Sequence, residues 1–276
     1  MIFNVRFRRR ALGKLGIVGI WALCLAFFFP ILYMVLTSFK HETEAVPPQL
    51  FFSPTLENYR TVLGSGILPH ILNSMLITVV TMLFCVLLGV PTAYSIVFGK
   101  LKKPDSVFFW FLSTTLLPPV SVIIPVFLLF KFMHLLDNRW GMVLIYTGAN
   151  IPIAVWMIRS FLKDIPRELL EAADIDGATR VRSFFKLILP LARTGIISTA
   201  LLVFIFVWNE FFFAVNLTYI NASTIPVYMA SYMTQEGLFW AKLSAISTLT
   251  VLPPLVLGWV SHKTLVRGLM MGAVKG

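Results

Sequence analysis

Charge is scarce in this sequence. Asp, Glu, Lys and Arg make up 13% of its 276 residues, against roughly 25% in an ordinary water-soluble domain. Acid is scarcer than base: 12 Asp and Glu stand against 23 Lys and Arg, a net charge of +11. Cysteine occurs twice, at Cys24 and Cys85, each inside an apolar block. That argues against a disulfide framework or cysteine metal cluster and reads as packing. The four histidines, His41, His70, His134 and His262, are dispersed, and no H-E-x-x-H occurs, so no metal site is expected. No G-x-x-x-x-G-K-[ST] occurs either, so the chain is not expected to hydrolyse ATP itself, and no catalytic residue is assigned. The 16 glycines and 16 prolines show no period, which excludes collagen and linker readings.

Apolar residues are abundant, at 58%. They fall into six blocks, residues 15–37, 71–98, 107–132, 140–161, 195–217 and 243–265, each near the roughly 20 residues that cross a bilayer as a helix. Helices are expected because a helix satisfies its own backbone hydrogen bonds in lipid. The fold class is therefore an all-α membrane protein with six transmembrane helices in one domain, residues 1–276. Pro91, Pro118, Pro119, Pro125, Pro152, Pro253 and Pro254 fall inside the blocks, and each kinks its helix or frees a carbonyl. The first block is longer than a secretory h-region and no clear small-x-small site follows, so it is read as a retained span.

The basic residues give the orientation. All of the 23 Lys and Arg except Lys40, Arg60, Lys131, Arg139 and Lys242 fall on one side of the six spans. By the positive-inside rule that side is cytoplasmic and holds both termini. The excess of base is thus explained by the membrane, and no nucleic-acid partner is expected. External loops follow at residues 38–70 and 218–242.

The connection at residues 163–193 is dense in charge yet patterned. Asp164 is a candidate N-cap with Pro166 in the first turn. Glu168 and Glu171 favour the positive end of that helix. The helix should stop near Gly177 and a second begin at Thr179. There Val181, Phe184, Phe185, Ile188 and Leu189 form one apolar stripe, and Pro190 marks an end or kink. Two readings stay open: a hairpin lying on headgroups, or a docking element for a cytoplasmic partner.

Glu171-Ala172-Ala173, three residues, Gly177, nine residues, then Leu187-Ile188-Leu189-Pro190 resembles the E-A-A-x3-G-x9-I-x-L-P loop of ABC importer permeases, departing at Leu187, where isoleucine is usual. Ser53-Pro54-Thr55-Leu56-Glu57-Asn58-Tyr59, Leu117-Pro118-Pro119, Trp208-Asn209-Glu210-Phe211 and the ending Arg267-Gly268-Leu269-Met270-Met271-Gly272-Ala273-Val274-Lys275-Gly276 resemble the carbohydrate branch, in particular the six-span partner of maltose-type importers. The run 236–245 is similar to permeases assigned to polyols such as sorbitol and mannitol.

The resemblance implies a type I ABC importer permease fold in a bacterial or archaeal cytoplasmic membrane. It implies a second, different permease subunit, two ATPase subunits that bind ATP and Mg, and an external substrate-binding protein. Residues Glu171, Ala172, Ala173, Asp176, Gly177 and Pro190 of the 163–193 loop would couple to the ATPase. Gly272, Ala273, Val274, Lys275 and Gly276 would touch it from the tail. Glu236, Gly237, Phe239 and Trp240 of the last external loop would meet the binding protein. Trp208, Asn209 and Glu210 are channel or gate candidates. Glu210 is the acid placed inside a span, where a carboxylate is costly; a gate role and satisfaction of a backbone group both stay open. An ion-coupled carrier or a membrane scaffold is the rival class.

Overall fold

The computed structural model describes residues 2–234 and 237–261. It is helical almost throughout. In chain order the elements are α1 (Ile2–Thr37), α2 (Glu42–Ala45), α3 (Glu57–Gly64), α4 (Ile67–Phe98), α5 (Pro104–Thr115), α6 (Pro119–Phe132), α7 (Arg139–Lys163), α8 (Glu168–Ile175), α9 (Arg180–Ser183), a π-helical turn (Phe184–Ile188), α10 (Leu189–Trp208), α11 (Phe212–Leu217), α12 (Ile225–Ala230) and α13 (Trp240–Thr250). Between α12 and α13, Met233–Thr234 (β1) pairs antiparallel with Gly237–Leu238 (β2).

Among the described residues, five helices are long and apolar enough to cross a membrane, and six if α5 and α6 form one bent span. Two expected spans are corrected. The block at 107–132 is not one helix: α5 and α6 meet at 88°. Pro118 and Pro119 supply no N–H to carry the ladder across Leu116 and Leu117, so the chain turns there. The block at 195–217 breaks after Trp208, and α11 begins a new helix at Phe212.

The chain forms two compact units. The first comprises residues 1–66 and 232–250. Residues 19–32 of α1 are all exposed, with Phe27 at 82%, as suits a helix whose solvent is lipid or a neighbouring subunit. Beyond α1 the loop is ordered by polar bonds. The buried Lys40 ammonium donates to the Tyr33 hydroxyl at 3.1 Å and the Gln49 carbonyl at 2.5 Å, and it faces the Tyr33 and Phe52 rings. Cation–π contact and two acceptors hold this charge without a carboxylate. Asn58 donates to the Ser38 and Lys40 carbonyls. The Glu42 carboxylate accepts from the N–H groups of Ala241 and Lys242 and so caps α13.

The second unit comprises residues 67–231 and 251–276. Its core is α4 packed on α7 and α10, with Ile77, Cys85, Tyr146, Ala154 and Val203 buried between them. Small residues let these helices close up, as they do generally in membranes. A Cβ on Gly195 would lie 2.3 Å from the Phe161 ring, so any side chain there would push α7 and α10 apart. Cys85 is buried in this core, whereas Cys24 lies on the exposed face of α1.

Candidate functional site

The loop at residues 163–193 is built around one free-standing helix. None of the α8 residues is buried. Leu170 reaches the apolar cluster of Ile158, Leu162 and Ile188, while Ile175 is 86% exposed and Glu171, Ala172 and Asp176 are exposed beside it. Ala173 is half-buried. Among the described residues the Glu171 carboxylate forms no ion pair. The helix presents an acid, two methyl groups and an isoleucine to whatever lies beyond it.

Its end is fixed by a complete hydrogen-bonded stop. Gly177 adopts φ +75°, which a residue with a side chain takes at a cost. The Ala178 N–H donates to the Ala173 carbonyl at 2.9 Å and the Gly177 N–H to the Asp174 carbonyl at 3.1 Å, the paired bonds of a Schellman ending. Thr179 then caps α9 by accepting from the Arg182 N–H.

Three local expectations are corrected here. Asp164 does not cap α8; it ends α7, and α8 starts after Arg167 with no side-chain cap, because Ile165-Pro166 intervenes and Pro166 disfavours helix for the residue before it. Pro190 does not end the second helix, which runs on to Trp208. It lies in the first turn of α10, behind the wide turn Phe184–Ile188, across which the Leu189 N–H donates to the Phe184 carbonyl. That extra residue per turn also rotates the stripe, so Val181 and Phe185 are exposed while Ile188 is buried.

Glu210 sits at the break between α10 and α11. Its carboxylate accepts from the Phe213 N–H at 2.9 Å, the Ala214 N–H at 3.3 Å and the Tyr146 hydroxyl at 2.5 Å. The acid thus caps α11 and joins it to α7. Trp208 is buried and stacks on Phe204 at 5.6 Å. The Asn209 amide donates back to the Ile205 carbonyl while the residue stays exposed. Of the three, Asn209 is the one with an open face.

Sequence reading missed Asp137. In the connection between α6 and α7 it holds φ 52°, and its carboxylate accepts from the N–H groups of Tyr219, Ile220, Asn221 and Ala222 and from the Asn221 side-chain amide, at 2.9–3.2 Å. Burial raises the carboxyl's pKa, but the backbone donors from Asn221, Tyr219, Ala222 and Ile220 outweigh it and hold the group below its usual range. This one side chain shapes residues 219–222. The local signal was Asp137-Asn138 ahead of an apolar run, a helix start; Asn138 does cap α7.

Within residues 218–242, expected as the last external loop, the structure adds α12, which rests on Ser74 and Asn73 through bonds to the Ile225 N–H and the Asn221 and Ser223 carbonyls. Of the binding-protein candidates, Gly237 is in β2, Phe239 is half-buried under the Lys242 ammonium, and Trp240 opens α13 at 47% exposure. Glu236 lies outside the described residues, as do Gly272, Ala273, Val274, Lys275 and Gly276.

Residues 85–266 match the family described as binding-protein-dependent transport system inner membrane component. The chain is 34% identical over 256 residues to a probable ABC transporter permease of Sinorhizobium fredii, covering 92% of each chain. It is 31% identical to the trehalose/maltose transport system permease of Thermococcus litoralis, covering 97% of this chain and 98% of that one. Its fold matches, with a TM-score of 0.74 and 23% identity, a chain in the crystal structure of a bacterial ABC transporter that imports the acidic polysaccharide alginate, covering 92% of this chain and 96% of that one.

Proposed function

This chain belongs to the family of binding-protein-dependent transport system inner membrane components, and from that we propose that it forms one half of the membrane channel of an ATP-driven importer for a sugar or polyol. Its relatives are permease subunits, so the family match favours this over an ion-coupled carrier or a scaffold. The observation that carries the reading is α8: an exposed eight-residue helix, closed by a glycine stop, bearing an unpaired Glu171. Leu170 and the half-buried Ala173 anchor one face of this helix, whereas the face of Glu171, Ala172 and Ile175 stays uncovered, as a docking element needs.

In this reading α8 lies in a cleft of an ATPase subunit that binds ATP and Mg, with Glu171 facing a basic residue there. Ala172 and Ala173 allow close approach, Asp176 and Gly177 set the turn, and Pro190 places α9 at the root of α10. The tail 272–276 reaches the same ATPase. A second, different permease completes the channel, and a binding protein meets residues 236–240 from outside. The sidedness is supported within the second unit. Asp137 bonds residues 219–222, so those two connections share one side. Arg167 bonds the Val97 carbonyl and Arg159 bonds Asp105, which places residues 97–105 and 159–167 together on one side. Basic residues crowd that second side, so it is taken as cytoplasmic, with both termini.

The cargo is tested by uptake into proteoliposomes that hold the assembled complex and are supplied with its binding protein. Labelled hexitols, monosaccharides and disaccharides are compared. ATP-dependent uptake of one of these classes is expected, with hexitols favoured by the resemblance of residues 236–245. Uptake of a non-carbohydrate in their place overturns the cargo assignment.

A further inference from the structure

At the root of α5 and α7 is a cavity of about 270 Å³, large enough for a small anion with its hydration. Its walls include Asp105, Arg159, Lys163 and Arg167 with Val97 and Ile165. Three cations therefore face one carboxylate. The geometry points to an anion site here that takes a phosphoryl group.

The Arg159 side chain is 11% exposed and its Nη2 donates to Asp105 at 2.7 Å, while Asp105 is 75% exposed. Water screens the acid far more than the base, so the pair leaves positive potential inside the cavity. The guanidinium lies over the Phe108 ring at 3.8 Å, and its Nε is buried with no acceptor. Arg167 spends one N–H on the Val97 carbonyl at 2.8 Å, with further donors left in its fork. Lys163, the last residue of α7, is exposed and forms no ion pair among the described residues. An inter-helix brace accounts for Arg159–Asp105 and Arg167–Val97. It gives no role to Lys163, whereas a phosphoryl group with several oxygens engages it together with the free donors of Arg167.

The cavity opens where apolar α7 gives way to charge, the depth at which headgroups lie, and basic pockets between spans on this side take acidic headgroups. A phosphoryl group arrives there from an anionic lipid or from a phosphate-bearing solute. Bound to Lys163 and Arg167, it ties the end of α7 to the residue before α8. The site is independent of which cargo the protein carries.

The test uses the full chain purified in a neutral detergent. Native mass spectrometry measures retention of phosphatidylglycerol against phosphatidylcholine, and thermal melts compare inorganic phosphate with chloride at equal ionic strength. Selective retention of phosphatidylglycerol identifies the lipid source; stabilisation by phosphate beyond chloride identifies the solute. Lys163→Gln, at an exposed position, should weaken whichever binds by about fivefold, the effect of one basic residue at a charged surface, without moving the ligand-free melt. Asp105→Asn should strengthen binding. Equal retention of both lipids with no phosphate effect overturns the site. So does a Lys163→Gln protein that binds as the parent does, or an Asp105→Asn protein that binds more weakly.

Discussion

Complexes carrying Glu171→Lys should lose at least about thirtyfold in the affinity of the membrane subunits for the ATPase, and substrate-stimulated ATP hydrolysis should fall with it. Removing one member of a buried, hydrogen-bonded charge pair across an interface costs about 2–5 kcal/mol, and reversal adds repulsion. The competing explanation is weaker by magnitude. A lysine in the first turn of α8 opposes the helix dipole by only about 0.3–1 kcal/mol at an exposed position. Glu171 is exposed, so the isolated chain should melt as the parent does. Co-purification yield and ATP hydrolysis are the measurements. Parental values for both would remove Glu171 from the interface and leave α8 without its central contact.

Asp137→Ala should be the most destabilising single change in the loops of the second unit, by about 3 kcal/mol. It strips one acceptor from four backbone N–H groups and a side-chain amide. Each orphaned donor costs about 1–3 kcal/mol if it stays dry, and part of that is recovered where water enters. The effect depends on pH with a definite sign. The folded carboxyl titrates below its ordinary value of 3.8, so its contribution is complete above that value and is lost as pH falls through the folded pKa. Melts of parent and variant should therefore differ widely at neutral pH, and the gap should close well below pH 3.8. A gap that stays constant through that range would mean that the ionised carboxylate is not what holds residues 219–222.

The spans were legible because hydropathy is a sum over many residues, and a bilayer demands long apolar runs whatever their tertiary neighbours. The same summing hid both breaks. Leu116 and Leu117 are as apolar as their flanks, so the prolines after them registered as a kink in one helix rather than as an 88° turn between two shorter ones. Asn209 and Glu210 interrupt an otherwise apolar run too briefly to lower its average, although Glu210 is what caps the helix that follows. The glycine stop at Gly177 and the Thr179 cap were legible because their bonds are local, within five residues. Asp164 was misplaced because an acid before a proline suits either the end of one helix or the start of the next. Asp137 was out of reach: its partners lie 82–85 residues away, and nothing local distinguishes it from an ordinary loop acid. The cavity of Arg159, Lys163 and Arg167 is similar, since its fourth charged wall, Asp105, comes from another helix.

The measurement that bears most directly on the importer assignment is purification of the tagged full chain from its own membranes, followed by an ATPase assay of the eluted complex in lipid with and without its binding protein. The account predicts a second permease and an ATPase subunit in the eluate, with ATP hydrolysis raised by the loaded binding protein. A chain that elutes with no ATPase subunit and no ATP hydrolysis would contradict it.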